Sequence, residues 1–330
     1  MDGHTKEKLL YILEFLKKTD EQHPVNTNDI QQYLTEKGIP AERKSIARDI
    51  AVLRNAGYSI ILCDELKKGY YMTDQLFEDY ELKMIADAVC GAKFLPYKDS
   101  VTLMGKICAL ATATGEELIK EQSFIDENIK PKNRTVRFTI DKIINAIKQN
   151  CRITFHYLEI QPDGSTRLKR DGHTYDISPY YLCWLEDSYF LIGNSKSHNH
   201  LTHFHVEMMV DVELTKEPIR PKEEIEEFEG DFSIGEYLRR NINMYTGEII
   251  PVTLDCSQKI AKDFRARFGE ETPITPIGED RFRADIMASE GEGLLRWLSQ
   301  FSAKDLVVLE PEEIRKELRK RALAVARGYK

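Results

Sequence analysis

Long apolar runs are missing from this chain. None of its 330 residues lies in a stretch near the roughly 18 consecutive apolar residues that cross a bilayer, so no membrane span is expected. The opening residues, MDGHTKEKLL, lack the basic-then-apolar plan of a secretory leader, which points to a cytoplasmic protein. Paired cysteines are missing too. Cys63, Cys90, Cys108, Cys151, Cys183 and Cys256 are scattered with no CxxC spacing, which leaves them as small buried hydrophobes in a reducing compartment. There is no P-loop, no GxGxxG and no GxSxG, and no pair of carboxylates stands in a context that marks an acid–base couple. Neither an enzyme nor a cofactor is expected. An excess of basic charge is also absent: 47 Lys plus Arg face 55 Asp plus Glu, a net charge of −8. That argues against a general coat for nucleic acid, but a single helix with a few cations can still read DNA.

What is present is a length for two or three domains, each able to bury a core. The middle of the chain, Cys151 to Glu213, reads as short strands. In CRITFHYLEI, Ile153, Phe155 and Tyr157 alternate with polar neighbours, the period of a half-buried strand. Pro162-Asp163-Gly164 marks a turn. Tyr180 to Trp184 and Tyr189 to Ile192 flank the short polar turn Glu186-Asp187-Ser188 as a hairpin, and LTHFHVEMMVDVELT is a last strand run. Strands without long helical interruptions predict a small curled antiparallel sheet or barrel.

Residues 1–75 read as helix, helix, turn, helix, hairpin. Leu9, Leu10, Ile12, Leu13 and Leu16 form an apolar stripe. Thr27 is the expected cap of a short helix with Ile30 and Leu34 inward. In the third helix Ile46, Ile50 and Leu53 face the core, while Arg43, Lys44 and Arg48 project elsewhere, and Gly57 stops it. Two strands around a Lys-containing loop follow. This is the order of a winged helix-turn-helix, and it places Arg43, Lys44, Ser45 and Arg48 in a DNA major groove with Lys67 or Lys68 on a phosphate. The segment itself carries 11 Lys plus Arg and 12 Asp plus Glu. Residues 76–136 read as a helical connector with apolar faces for a second copy of the chain, Tyr80, Leu82, Met84, Ile85 and Val89 among them. Lys130 to Arg134 reads as a solvated basic connector. Residues 137–220 hold a helix and the central strands, and 221–248, charged and carrying Pro221, reads as a linker. Residues 249–330 follow the order β-α-β-β-α-β-α, which is ferredoxin-like.

These residues also carry a resemblance. Pro179-Tyr180-Tyr181-Leu182, a short hairpin, then Tyr189-Phe190-Leu191-Ile192-Gly193 resembles the core of the WYL domain, a small β-barrel-like (Sm/SH3-like) ligand-sensing module of bacterial transcription regulators. Arg43 to Ile50, with Leu53 and Gly57, is similar to the recognition helix of DeoR-like regulators, and the C-terminal segment resembles the extension that follows many WYL domains. The resemblance implies a multidomain α+β protein: a cytoplasmic, homodimeric regulator that binds double-stranded operator DNA and responds to an effector. The family's last core strand carries arginines where this chain, aligned on Phe204, has Thr202, His205 and Met208. Residues 151–215 hold five Lys plus Arg against nine Asp plus Glu. The expected pocket is therefore lined by Tyr157, Tyr181, Tyr189, His203 and His205, and prefers an uncharged, aromatic or weakly cationic ligand. His203 and His205 also share a strand face, so a metal sensor is one alternative. A scaffold whose third helix contacts protein is another.

Overall fold

The structure is a computed structural model and describes residues 3–63, 68–131, 135–185 and 187–329. The chain divides into two compact units, Met1–Arg137 and Phe138–Lys330.

The first unit begins with α1 (Gly3–Leu16), α2 (Thr27–Glu36) and α3 (Arg43–Asn55), followed by the antiparallel pair β1 (Ile60–Cys63) and β2 (Gly69–Met72). Their shared core is Ile12, Leu16, Ile30, Leu34, Ile46, Ile50, Leu53, Ile60 and Met72. Leu10, expected inside, is exposed: the buried face of α1 runs Lys8, Ile12, Leu16, and Leu10 lies off that line. Asn26, not Thr27, caps α2; its side chain accepts from Asn28 and Asp29, and Asp29 returns the bond to the Asn26 N–H. Gly69 is needed where it stands, since a β-carbon there would come 2.9 Å from the Val25 backbone, which bridges Tyr70.

Three further helices, α4 (Asp79–Gly91), α5 (Tyr97–Leu110) and α6 (Ala113–Gln122), pack around Leu82, Ala86, Ile107, Ala111 and Ile119. They are tied to the first group through polar ends. Asp20 accepts from the Thr114 N–H and hydroxyl near the start of α6, and those bonds hold its carboxyl below the usual range despite partial burial. Lys130 is not a solvated connector residue. It is buried, and its ammonium group donates to the carbonyls of Val89 (3.0 Å) and Ala92 (2.7 Å) at the end of α4; burial pulls its pKa down. A lysine at a helix C-terminus satisfies carbonyls left without helical partners.

The second unit holds α7 (Val136–Gln149) for most of its length, then β3 (Cys151–Ile160), β4 (Thr166–Leu168), β5 (Tyr175–Leu185), β6 (Ser188–Ser195), β7 (Leu201–His205) and β8 (Met209–Pro218). They form a six-stranded curled sheet in the order β4-β3-β5-β6-β7, with β8 on β3. Register shifts in β3 against β8, and in β5 at Pro179, bend the strands. Residues 221–248, expected as a linker, are folded onto this sheet and carry α8 (Ile234–Arg240). Ile225, Tyr237 and Met244 are buried with Tyr180, Phe190 and Ile192, and Phe228 and Phe232 pack beside them. The dense acids Glu223 to Asp231 mask these apolar residues in the sequence.

A second, four-stranded antiparallel sheet closes the chain. Its elements are β9 (Ile249–Ser257), α9 (Ala261–Phe268), β10 (Ile274–Pro276), β11 (Arg281–Ser289), α10 (Glu292–Ser299), β12 (Leu306–Glu310) and α11 (Glu312–Gly328), with strand order β10-β11-β9-β12. Val252, Leu254, Phe264, Phe282, Leu294, Leu298 and Ile314 are among its core residues. Among the described residues no helix is long and apolar enough to cross a membrane.

Candidate effector cleft and nucleic-acid face

The spacing that buries Ile46, Ile50 and Leu53 turns the opposite side of α3 outward. Lys44 and Arg48 lie there, both exposed, with Val52 one turn further on, and Arg43 is exposed in the first turn, on the same stripe as Ile46 and Ile50. Ser45 does not join them. It is half-buried, and its hydroxyl accepts from the Lys8 ammonium group at 2.5 Å; Lys8 also pairs with Asp49 at 2.8 Å. Ser45 therefore fastens α3 to α1. Lys68 is exposed at the entry to β2, and Lys67 lies outside the described residues.

The second unit contains a cleft of about 510 Å³ beside β3, β5 and β7. Its aromatic wall is Tyr157, Tyr175 and Phe204, with ring centroids 5.5–6.0 Å apart. The pairing of Leu158 with Leu168 folds the chain after β4 back over this wall. There the Lys169 ammonium group sits 5.6 Å from the centroid of Tyr157 and the His173 ring packs on Tyr175. Arg170 and Asp171, both with φ +52, make the turn that carries them. Arg170, Asp176, Ile177, Ser195, Ser197, His198, Thr202 and His203 complete the lining.

Asp176 is the cleft's carboxylate, and it is already neutralised. Arg152, with 1% of its side chain exposed, donates to Asp176 Oδ1 at 2.7 Å, to the Asp176 carbonyl at 2.8 Å and to Ser178 Oγ at 2.8 Å. The cleft thus presents Lys169 over the Tyr157 ring and Arg170 in its lining, beside hydroxyls and imidazoles. Such a wall suits a planar ligand that carries negative charge. The net negative charge of the surrounding residues is misleading at this spot, because two of the five cations converge here and Arg152 cancels the acid. From the sequence an uncharged, aromatic or weakly cationic ligand is expected; Lys169 and Arg170 in this lining argue for an anionic one.

Residues 139–214 match the family model of the WYL domain, and residues 248–326 match that of the WCX domain. The chain carries a WYL domain and a WCX domain. No curated protein matches it. Among solved structures it is similar to the proteasome accessory factor B/C (PafBC) of Arthrobacter aurescens, with 16% identity over 98% of this chain and a TM-score of 0.28. It spans 47% of that protein's length. A CRISPR Cas-related protein is similar at 13% identity, over 99% of this chain and 84% of the other, with a TM-score of 0.38.

Of the five expected effector residues, the WYL cleft brings together Tyr157 and His203. The Tyr157 hydroxyl accepts from the His205 N–H at 3.1 Å, and burial pushes its pKa up to about 12. His203 lies at the cleft wall, but both ring nitrogens are engaged: Nδ1 is 2.7 Å from the Met244 carbonyl oxygen and Nε2 is 2.8 Å from the Tyr237 hydroxyl. A metal would have to displace one of them, and among the described residues no group of three or more His, Cys, Asp or Glu is placed to hold an ion. His205 packs on Phe190 and faces Glu207 at 3.4 Å. Tyr181 packs against Phe232 and accepts from Lys222, so it belongs to the contact with residues 221–248. Tyr189 pairs with Trp184 across the β5–β6 hairpin and does not line the cleft. Sequence reasoning missed Lys169, Arg170, His173 and Tyr175. The adjacent cations after the Gly164 turn were the available signal.

Proposed function

We propose that this protein is a DNA-binding transcription regulator whose WYL domain takes a negatively charged effector with a planar group. In this reading the first 75 residues act as a winged helix-turn-helix, with Arg43, Lys44 and Arg48 in the major groove and the β1–β2 hairpin, with Lys68, on the backbone. The WCX domain, of ferredoxin-like strand order, carries the response to effector. The exposed apolar side chains of Tyr80 and Met84 on α4 and Val101 on α5 suit a second copy of the chain, and a two-fold dimer reads a pseudo-palindromic site.

The observation that carries the reading is α3 itself, whose outward face holds Lys44 and Arg48 and no carboxylate, with Arg43 exposed in its first turn and a hairpin following. Selection of bound duplexes from a random DNA library with the full-length protein tests it. Enrichment of an inverted repeat is the expected result, and a pool no different from the input contradicts it. A second reading, protein contact through α3, is favoured by Val52, 51% exposed on the same face. It gains if selection fails while the α3 variants still fold.

A further inference from the structure

His203 stands between two spaces. It lines the WYL cleft and also a wider groove of about 1120 Å³, lined by Glu226, Glu227, Met244 and Tyr245 among others. Its hydrogen bonds fix its state. A carbonyl only accepts, so Nδ1 carries the proton toward Met244 and Nε2 accepts from the Tyr237 hydroxyl. Burial pushes the pKa of the ring down to about 4, which keeps it neutral in this role.

The backbone that His203 grips is unusual. Asn243 and Met244 have φ of +50 and +59, a left-handed conformation that residues with a β-carbon resist. The kink separates side chains that serve different cores. Ile242 is buried under the β9–β12 sheet, while Met244 is buried with Tyr180, Phe190 and Ile192 of the WYL sheet. On the WCX side Gly293, in the first turn of α10, abuts the kink: a β-carbon there would lie 2.0 Å from the Ile242 carbonyl oxygen. The seam between the two sheets is thus held by an imidazole on one side and a glycine on the other.

We propose that His203 is a positioning residue that holds the Asn243–Met244 kink and so ties the wall of the WYL cleft to the start of α10 in the WCX domain. Given the effector reading above, on which this consequence rests, a ligand that shifts β7 shifts the WCX domain through one side chain. The link is two-way, so loosening the kink loosens β7.

Amide hydrogen exchange on the full-length protein, with no ligand added, tests the link separately from the effector reading. His203→Phe keeps a ring in the wall and removes both hydrogen bonds. Exchange across 242–249 and 292–296 is expected to rise at least about tenfold, with protection in β3 and β5 unchanged. Adding Asn243→Gly is expected to return most of the protection, because glycine takes positive φ without steric strain. A ring that merely filled space would give no rise and no rescue. If His203→Phe fails to fold, Tyr237→Phe removes one of the two bonds and is expected to raise exchange in the same segments about threefold. Unchanged exchange at 242–249 in the folded variant, or a uniform rise through β3 to β8 that Asn243→Gly does not reverse, overturns the proposal.

Discussion

The ammonium group of Lys18, just past the end of α1, lies 2.7 Å from the carbonyl oxygen of Ala109 in the last turn of α5, and 3.1 Å from those of Cys108 and Ala111. One cation closes the end of a helix more than ninety positions away in the chain, where the helix dipole favours positive charge. With Asp20 at the start of α6, it makes the three-helix group and the connector one packed body rather than two on a tether. Lys18→Met should cost about 1–3 kcal/mol, because carbonyls lose a charged donor. Chemical denaturation of the Met1–Arg137 unit measures it, and an unchanged midpoint would count against the clamp.

The pH dependence of stability should carry the mark of His203. Its folded pKa, about 4, lies below the unfolded value of 6.5. Between these values the unfolded chain binds the proton and the folded chain does not. The stability from this group is therefore full above pH 6.5 and is lost as pH falls toward 4, by up to about 1.4 kcal/mol per unit. His203→Phe should flatten that part of the profile. Equal slopes in both proteins would place the proton elsewhere.

Arg152→Met should lower the stability of the Phe138–Lys330 unit by about 1–3 kcal/mol. The cost stays moderate because Asp176 is 45% exposed and water can solvate it once Arg152 is gone. The change also frees a carboxylate in the cleft, so anion binding should fall with stability. Thermal unfolding and titration read the two effects separately.

Much of this architecture is legible in the sequence, and the illegible parts share a cause. The period of Ile46, Ile50 and Leu53 gives α3 and its outward cations directly, and alternation in CRITFHYLEI gives β3. Local periodicity reports which face is buried. It does not report what comes to lie against that face. Lys130 reads as a solvated charge because its acceptors, at the end of α4, are far along the chain. Lys169 and Arg170 enter the cleft only because β4 pairs back onto β3. Tyr181 and Tyr189 carry the same aromatic signal as Tyr157, yet the bend at Pro179 and the hairpin register send them elsewhere. Residues 221–248 read as a linker because charge and proline outweigh the scattered apolar side chains in any local window.

The cleft should prefer anions despite its acidic surroundings. Titration of the full-length protein with a short oligothymidylate near neutral pH should give saturable binding. Lys169→Ala with Arg170→Ala should weaken it at least about tenfold, since each charged contact contributes about 1.5–3 kcal/mol. Binding equal in the double variant would remove the cations from the site. Tighter binding of an uncharged aromatic than of the oligonucleotide would restore the opposite preference.

The central claim, that α3 reads DNA, is tested most directly by the affinity of Arg43→Ala with Arg48→Ala for the selected duplex across a salt series. Each lost base or phosphate contact should cost about 1–3 kcal/mol, and the salt dependence should flatten by about one counterion for each phosphate contact removed. The account predicts a loss of at least about a hundredfold near physiological salt, with the fold of the Met1–Arg137 unit unchanged. Affinity and salt slope equal to those of the unaltered protein would contradict it.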